Sequence, residues 1–205
     1  DDATVAEQST QDIQSVVNGI QDKYESVNSL GADFVQVTRS VTMGEVRQSG
    51  RVWFHRPNKM RWDFVAPTES AFVSDGQTMW VWSAESNQVI VTQTLPEVED
   101  KGVGQLLADL GKLDELFDVG DYDGAPLSED EVAVSLTPKE AASFKQLQLV
   151  LSKDNYVLTR VIMIDEFDSV VELLLSNVEL DGQVAEDRFT FEIPSDATVV
   201  RSNGM

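Results

Sequence analysis

The fold is decided by the stretch Ser49-Gly50-Arg51-Val52-Trp53-Phe54-His55-Arg56-Pro57-Asn58-Lys59-Met60-Arg61-Trp62-Asp63-Phe64. Near its end, the large apolar residues Met60, Trp62 and Phe64 alternate with the charged Arg61 and Asp63. A period of two residues predicts a β-strand with one apolar face and one wet face. The proline and asparagine in the middle of the stretch are a turn signal, so this strand should begin just after a tight turn.

The same alternation recurs over residues 132–136, 147–151 and 189–193. Turn signals such as Asp75-Gly76, Asp123-Gly124 and Asp154-Asn155 separate the alternating segments. Because the connections are short, the strands are expected to form an antiparallel meander. We therefore predict a mainly β fold that consists of one curved sheet with an apolar face.

Two helical segments are expected to cover that face. The first spans about residues 10–27, where apolar side chains recur at three- and four-residue spacing (Ile13, Val16, Val17, Ile20, Tyr24 and Val27). The strands follow from about residue 32. A shorter helix is predicted over about residues 102–113, where Val103, Leu106, Leu107 and Leu110 share a face. A small lid over a concave sheet can enclose an apolar cavity, and all 205 residues are expected to form one domain.

The charge excludes some partners. The chain has 15 basic and 36 acidic residues, a formal net charge of −21, so phosphate-rich nucleic acid and anionic membrane surfaces should repel it. Residues 96–131 alone hold 12 acidic residues and two lysines. This acidic segment either improves solubility or docks on a basic partner, and the sequence leaves both interpretations open.

Little in the sequence points to a membrane anchor. No apolar run approaches the roughly 18 residues that a spanning helix needs. The opening residues Asp1-Asp2-Ala3-Thr4 lack the basic and apolar parts of a signal peptide, as expected of a cytosolic chain or of an exported one numbered from its cleavage site. The absence of cysteine excludes disulfides, thiolate metal sites and a lipidated N-terminal cysteine.

The sequence offers no catalytic constellation. His55 is the only histidine, and a lone histidine beside Arg56 is more typical of a surface position than of a catalytic centre. Asp121-Tyr122-Asp123-Gly124 faintly resembles a calcium loop but lacks the remaining ligands at the required spacing. Phosphate loops, nucleophile elbows and zinc-protease motifs are absent from the sequence. We therefore predict no enzyme activity, no metal and no cofactor.

Four tryptophans, Trp53, Trp62, Trp80 and Trp82, leave two interpretations open. Together with the neighbouring phenylalanines, they would form either part of the core or a stacking platform for a ligand. The negative charge argues against bases as that ligand, whereas sugars remain possible.

The opening stretch resembles the signature of the LolA family of periplasmic lipoprotein carriers. The agreement continues in the same order along the chain, through Val73-Ser74-Asp75-Gly76-Gln77-Thr78-Met79-Trp80-Val81-Trp82. Upstream, Ala32-Asp33-Phe34-Val35-Gln36 resembles the first strand of the family, and Phe189-Thr190-Phe191-Glu192-Ile193-Pro194 its closing strand. The resemblance implies an incomplete antiparallel β-barrel with a lid of short helices over an apolar cavity.

The resemblance also implies a function. A monomeric periplasmic carrier would take acylated lipoproteins from an inner-membrane ABC transporter and pass them to an outer-membrane receptor. Arg56 would hold the lid shut by bonding to the lid backbone, or here to a carboxylate such as Asp109. The predicted acyl-chain cavity is lined by Ile20, Tyr24, Phe54, Met60, Trp62, Phe64, Leu106, Leu107, Leu110, Leu149, Leu151 and Ile162.

Other functions compete with this one. A lipoprotein-sensing domain on the same half-barrel usually carries a second domain, and no boundary is evident near residue 200. The outer-membrane receptor of the pathway needs an N-terminal cysteine for its own lipid, which this chain lacks. An enzyme interpretation survives only if a metal binds among the acidic residues.

Overall fold

The computed structural model describes residues 2–40, 42, 44–93 and 110–202, and side chains within 13–201 of these ranges. The fold is mostly β, as predicted. Its helices and strands are α1 Asp2–Glu25, β1 Ser29–Ser40, β2 Gly44–His55, β3 Lys59–Ala66, β4 Ser70–Ser74, β5 Thr78–Ser83, β6 Gln88–Gln93, α2 Leu113–Leu116, β7 Phe117–Gly120, β8 Glu131–Pro138, β9 Gln146–Ser152, β10 Leu158–Ile164, β11 Val170–Leu180 and β12 Thr198–Ser202. Short 3₁₀ turns span Leu110–Lys112 and Glu186–Phe189.

The chain divides into two compact units. The first comprises Asp1–Val27, Val37–Val46 and Asp109–Leu175, and the second comprises Asn28–Gln36, Arg47–Ala108 and Ser176–Met205. In the first unit the strand order is β11-β10-β9-β8-β7, and in the second it is β12-β6-β5-β4-β3-β2-β1. Among the strands of the described residues, β7 and β12 each have one neighbouring strand, so the sheet is open rather than a closed barrel, which confirms the predicted fold class.

The predicted boundaries need several corrections. Helix α1 begins at Asp2 rather than near residue 10, and β1 begins at Ser29 rather than near residue 32. Of the predicted helix over residues 102–113, the part up to residue 109 lies outside the described residues. The remaining part is the 3₁₀ turn that leads into α2.

The predicted last strand over residues 189–193 is wrong. Phe189 ends a 3₁₀ turn, and residues 190–197 form no strand. The last strand is β12, which pairs with β6 in parallel rather than antiparallel orientation. The alternating Phe189 and Phe191 were misleading because their side chains pack on the sheet, at 6.1 Å from the His55 ring and 6.3 Å from the Trp82 ring respectively.

The first unit buries one face of its sheet. The register of β8 to β11 places one set of apolar residues on the same face of the sheet. Each member of this set is at most 1% exposed: Val134, Leu136, Leu147, Leu149, Leu151, Leu158, Val161 and Leu173. Helix α1 contacts β8 and contributes Val17, Ile20 and Tyr24, which share one side of the helix and are also buried. This unit therefore has a dense core of helix against sheet.

The other face of the first unit is charged. Glu172 on β11 accepts a hydrogen bond from Arg39 at 2.9 Å and lies 3.8 Å from Arg160 of β10. Glu131 of β8 lies 3.7 Å from the same Arg160. The hydrogen bond from the Ser128 backbone lowers the pKa of Glu131 most, burial opposes it, and the Ser128 hydroxyl and Arg160 lower the pKa further. These ion pairs stabilise the face weakly, since such partly exposed pairs usually contribute below about 1 kcal/mol.

The structure offers no helix long and apolar enough to cross a membrane within the part of the chain that it describes.

Candidate functional site

The second unit has apolar side chains on both faces of its sheet, and a chain segment from the described residues of this unit packs on one of them. Residues 181–197 pack on the covered face, where the Arg61 guanidinium donates to the Arg188 carbonyl at 3.1 Å. Ala71, Val73 and Val89 of that face are buried. The opposite face is the candidate functional site.

This opposite face, which we call the aromatic face, follows from strand register. Gly50, Val52 and Phe54 of β2 oppose Phe64, Trp62 and Met60 of β3, and residues directly opposite each other point to the same side of a sheet. The register continues through β4, β5 and β6, which add Phe72, Met79, Val81 and Ile90.

The centre of the aromatic face is a cluster of rings. Phe34 of β1 meets Trp62 edge-on, with ring centroids 4.9 Å apart, and meets Phe64 at 5.1 Å. Phe54 is also edge-on to Trp62, at 6.0 Å. Edge-to-face pairs at these distances are favourable beyond the area they bury, by about 0.5–1.5 kcal/mol each. The rings therefore form a preorganised apolar surface.

Exposure increases across the aromatic face. Phe34, Val52 and Trp62 are buried, whereas Phe54, Met60 and Phe64 are only partly buried. On the last two strands of this unit, Ile90 is 39% exposed and Val200 is 41% exposed. An apolar surface that grades from buried to open is suited to a flexible apolar ligand, because the ligand can enter from the exposed side.

Gly50 brings β2 and β3 unusually close under this surface. A Cβ atom added at Gly50 would lie 1.8 Å from the carbonyl oxygen of Asp63 and 3.0 Å from the Phe64 Cα. Backbone atoms cannot move away as a flexible side chain would, so only glycine fits here. The close approach helps to position Phe64 on the aromatic face.

Four of the predicted cavity residues lie together on the aromatic face. They are Phe54, Met60, Trp62 and Phe64. The prediction omitted Phe34, Phe72, Met79, Val81 and Ile90. The signal for Phe34 was present in the quoted first-strand motif, whereas β5 is apolar on both faces and its alternation does not separate them.

The predicted residues of the first unit belong to its dense core. Ile20, Leu110, Leu149 and Leu151 are fully buried there. Tyr24 is 1% exposed, and its hydroxyl accepts a hydrogen bond from the Leu158 backbone N–H at 2.9 Å. Burial raises the pKa of Tyr24, and the bond to Leu158 opposes this in part. The structure therefore supplies the polar partner that the sequence could not identify.

Ile162 requires a correction. It opposes Gln148 and Glu172 on the charged face of the first unit, whereas Leu149 opposes Val161 on the buried face. Ile162 cannot share a lining with Leu149 and Leu151. The error arose because residues 161–164 are all apolar, so the sequence does not reveal which of them point inward.

Arg56 lies in the turn between β2 and β3. Its backbone N–H donates to the Asn28 carbonyl at 2.8 Å, and its carbonyl oxygen lies 2.7 Å from Nδ1 of His55. The side chain is partly buried. Its predicted partners in the lid, including Asp109, lie outside the described residues, as do Leu106 and Leu107.

Asp123, from the segment that resembles a calcium loop, has structural partners. One oxygen of the Asp123 carboxylate accepts hydrogen bonds from Gln148 at 2.5 Å, Ser135 at 3.2 Å and Gln146 at 3.4 Å. Among the residues with described positions, no group of three metal-ligating side chains comes together. Asp123 instead fixes the segment after β7 against the first unit's sheet.

Known proteins resemble this chain over most of its length. Residues 25–192 match the family model described as outer membrane lipoprotein carrier protein LolA. An outer-membrane lipoprotein carrier protein of Chromohalobacter salexigens is 31% identical over 182 residues, which cover 88% of this chain and 84% of the relative. One from Alkalilimnicola ehrlichii is 29% identical, with 88% and 81% coverage. An uncharacterized conserved protein from Thermus thermophilus shares the fold, with a TM-score of 0.55, 15% identity, and coverage of 92% of this chain and 98% of that one.

Proposed function

Because the chain belongs to the LolA family of outer membrane lipoprotein carrier proteins, we propose that its aromatic face binds the acyl chains of lipoproteins. The chain is a lipoprotein carrier, and its family is one of carriers rather than enzymes. The observation that supports the binding surface is the graded exposure of the aromatic face, from the buried Trp62 to Ile90 at 39% exposure.

The energetics favour a surface of this kind. Each methylene that leaves water contributes about 0.8 kcal/mol, so one acyl chain of about 15 methylenes contributes on the order of 12 kcal/mol when fully covered. Three fully covered chains would exceed the roughly 18–21 kcal/mol at which noncovalent affinities saturate. Partial cover by an open apolar face keeps the affinity within the range from which cargo can still leave.

The side chains of this face suit a mobile ligand. Met60 and Met79 lie beside the aromatic rings. Methionine has three rotatable bonds and fills irregular gaps, whereas aromatic rings provide large rigid contact areas. Acyl chains carry no hydrogen-bonding groups, so shape-tolerant burial is the interaction available to them.

The wider route of the cargo extends the same proposal. The carrier works in the periplasm, takes acylated lipoproteins from an inner-membrane ABC transporter, and passes them to an outer-membrane receptor. It works as a monomer, and the two units serve as one domain, since β1 and β11 contribute residues to both. The acidic segment over residues 96–131, of which 96–109 lie outside the described residues, docks on basic surfaces of these partners.

A charge placed on the aromatic face tests the binding surface. Phe64→Glu adds a carboxylate to that face. Val65→Glu adds the same carboxylate at the next residue of β3, whose side chain is already 64% exposed. Binding of a fluorescent triacylated lipopeptide to each purified variant is measured by titration. Phe64→Glu should weaken binding at least tenfold, which corresponds to about 1.4 kcal/mol, and Val65→Glu should not. Equal affinities for the two variants would exclude the aromatic face.

Arg56 gates the site in this proposal. A guanidinium has five N–H donors and can satisfy several carbonyl groups of a lid at once. Arg56→Leu removes these donors, and Arg47→Leu removes an exposed arginine of the same hairpin. Lipopeptide uptake and transfer to acceptor membranes that contain the receptor are followed by fluorescence. Arg56→Leu should change transfer while Arg47→Leu does not, and unchanged uptake and transfer in Arg56→Leu would exclude the gate.

A further inference from the structure

A cavity lies on the covered face of the second unit, opposite the aromatic face. Its volume is about 290 Å³, and its lining includes Arg51, Trp53, Glu179, Gln183 and Arg188. Trp53 and Arg51 point to this face because they alternate with the aromatic-face residues of β2. The cavity is therefore a site separate from the proposed acyl-chain surface.

Two guanidinium groups lie against one indole in this cavity. The Cζ atom of Arg188 is 4.4 Å from the ring centroid of Trp53, and the Cζ atom of Arg51 is 5.4 Å from it. The indole holds both cations in place by cation–π attraction without using any of their N–H donors. Contact with the face of the ring therefore does not use up the donors of either guanidinium.

Arg51 has few acceptors for its donors. Its Nε atom is buried and has no hydrogen-bond partner. Its terminal nitrogens lie 3.8 Å from Asp33 and 3.6 Å from Glu179, which are ion-pair distances longer than hydrogen bonds. Because the Nε atom is out of contact with solvent, the loosely paired terminal nitrogens are the donors that an entering oxygen acceptor can engage.

The remaining wall is held firmly. The Ser29 hydroxyl donates to the Gly182 carbonyl at 3.0 Å, and the Asp181 carboxylate accepts from the Asn28 backbone at 2.7 Å. Glu179, in contrast, has a side chain that is 64% exposed. The cavity thus has a hydrogen-bonded wall and one exposed carboxylate beside its cations.

We propose that this cavity binds a small oxyanion, a carboxylate or a phosphate group, between Arg51 and Arg188. Guanidinium groups bind such planar or tetrahedral oxyanions with paired N–H donors. Glu179 competes for the same donors and turns to solvent when the anion enters. The site acts independently of acyl-chain binding, since it lies on the other face of the sheet.

Titration calorimetry of the whole protein tests the proposal with three probes: acetate, inorganic phosphate and glycerol 3-phosphate. Saturable binding is expected for at least one of them. Preference for acetate would assign the site to carboxylates of a protein partner, and preference for glycerol 3-phosphate over inorganic phosphate would assign it to a lipid head group. Saturation by none of the three would overturn the proposal.

A charge series distinguishes this cavity from general attraction of anions. Arg51→Gln and Arg188→Gln should each weaken binding about tenfold or more, because each removes charge-assisted hydrogen bonds. Glu179→Gln should tighten binding several-fold by removing the competitor. The control Arg47→Gln removes an exposed arginine elsewhere on β2 and should leave binding unchanged. The proposal would be overturned if Arg47→Gln weakened binding as much as the other two arginine variants, or if Glu179→Gln weakened binding. If Arg51→Gln does not fold, the results for Arg188→Gln and Glu179→Gln decide the question.

Discussion

The hydroxyl of Tyr24 attaches α1 to the sheet of the first unit, and its removal should measurably destabilise the protein. The hydroxyl oxygen accepts the Leu158 backbone N–H at 2.9 Å, and both residues are almost completely buried. Tyr24→Phe keeps the ring but leaves that N–H without an acceptor. The change thus removes the interactions of the hydroxyl while the packing of the ring is kept.

The expected loss follows from the burial of the donor. A buried N–H without a partner costs about 1–3 kcal/mol in free energy of unfolding. For a chain of this size, each kcal/mol lowers the melting temperature by about 2–4 °C. A fall of several degrees is therefore expected, together with a lower midpoint of urea unfolding at an unchanged slope.

Alkaline pH gives a second readout of the same residue. Burial raises the folded-state pKa of Tyr24 above its ordinary value of 10.0. Because the pKa is higher in the folded state, the unfolded chain releases this proton more readily. The stability that comes from the shift is therefore fully present below the unfolded-state pKa, and it is lost as the pH rises through the folded-state pKa. Tyr24→Phe should lack this part of the alkaline destabilisation.

The control variant is Tyr122→Phe, which removes a hydroxyl from a partly buried ring beside Gly124 in the loop after β7. Urea unfolding monitored by circular dichroism is measured for the wild type and both variants, at neutral pH and through the alkaline range. If Tyr24→Phe loses no more stability than Tyr122→Phe, the hydrogen bond to Leu158 does not anchor α1 and the reasoning fails.

Three further changes test the packing of the two units. Gly50→Ala forces a Cβ into the β3 backbone and should lower the free energy of unfolding by more than about 2 kcal/mol, measured by thermal melts. The control is Gly120→Ala, which should be nearly neutral because a Cβ at Gly120 meets no atom within 4 Å. Asp123→Ala should lower the free energy of urea unfolding by about 1–3 kcal/mol, because it leaves partly buried amide and hydroxyl donors without their acceptor. Asp121 is exposed, so Asp121→Ala serves as the control. Phe189→Ala should cost about 3–5 kcal/mol, since the ring is only 2% exposed; a loss below about 1 kcal/mol would mean that residues 181–197 contribute little to the core.

Strands with clean alternation could be predicted from the sequence. Met60, Trp62 and Phe64 alternate with charged residues, so both the strand and its apolar face were evident. Residues 161–164 and β5 gave no such contrast, because apolar residues occupy both sides of these strands. Periodicity locates an apolar face only where the other face is polar.

Long-range pairing could not be predicted from local pattern. The parallel pairing of β12 with β6 joins residues more than 100 positions apart, and the alternating Phe189 and Phe191 suggested a strand where the chain instead packs on the sheet. Hydrogen bonds such as that from the Leu158 backbone N–H to the Tyr24 hydroxyl also cannot be predicted from the sequence, because the backbone N–H group does not differ between residue types.

The difference between the two units explains why the aromatic face is the proposed binding surface. In the first unit the apolar face is filled by α1, and the opposite face is charged, so that unit offers a solid core. In the second unit both faces are apolar, and residues 181–197 cover only the face that holds Trp53 and Trp82. Within the described part of the second unit, residues 181–197 pack on one apolar face of the sheet, and the proposal therefore assigns the cargo to the other face.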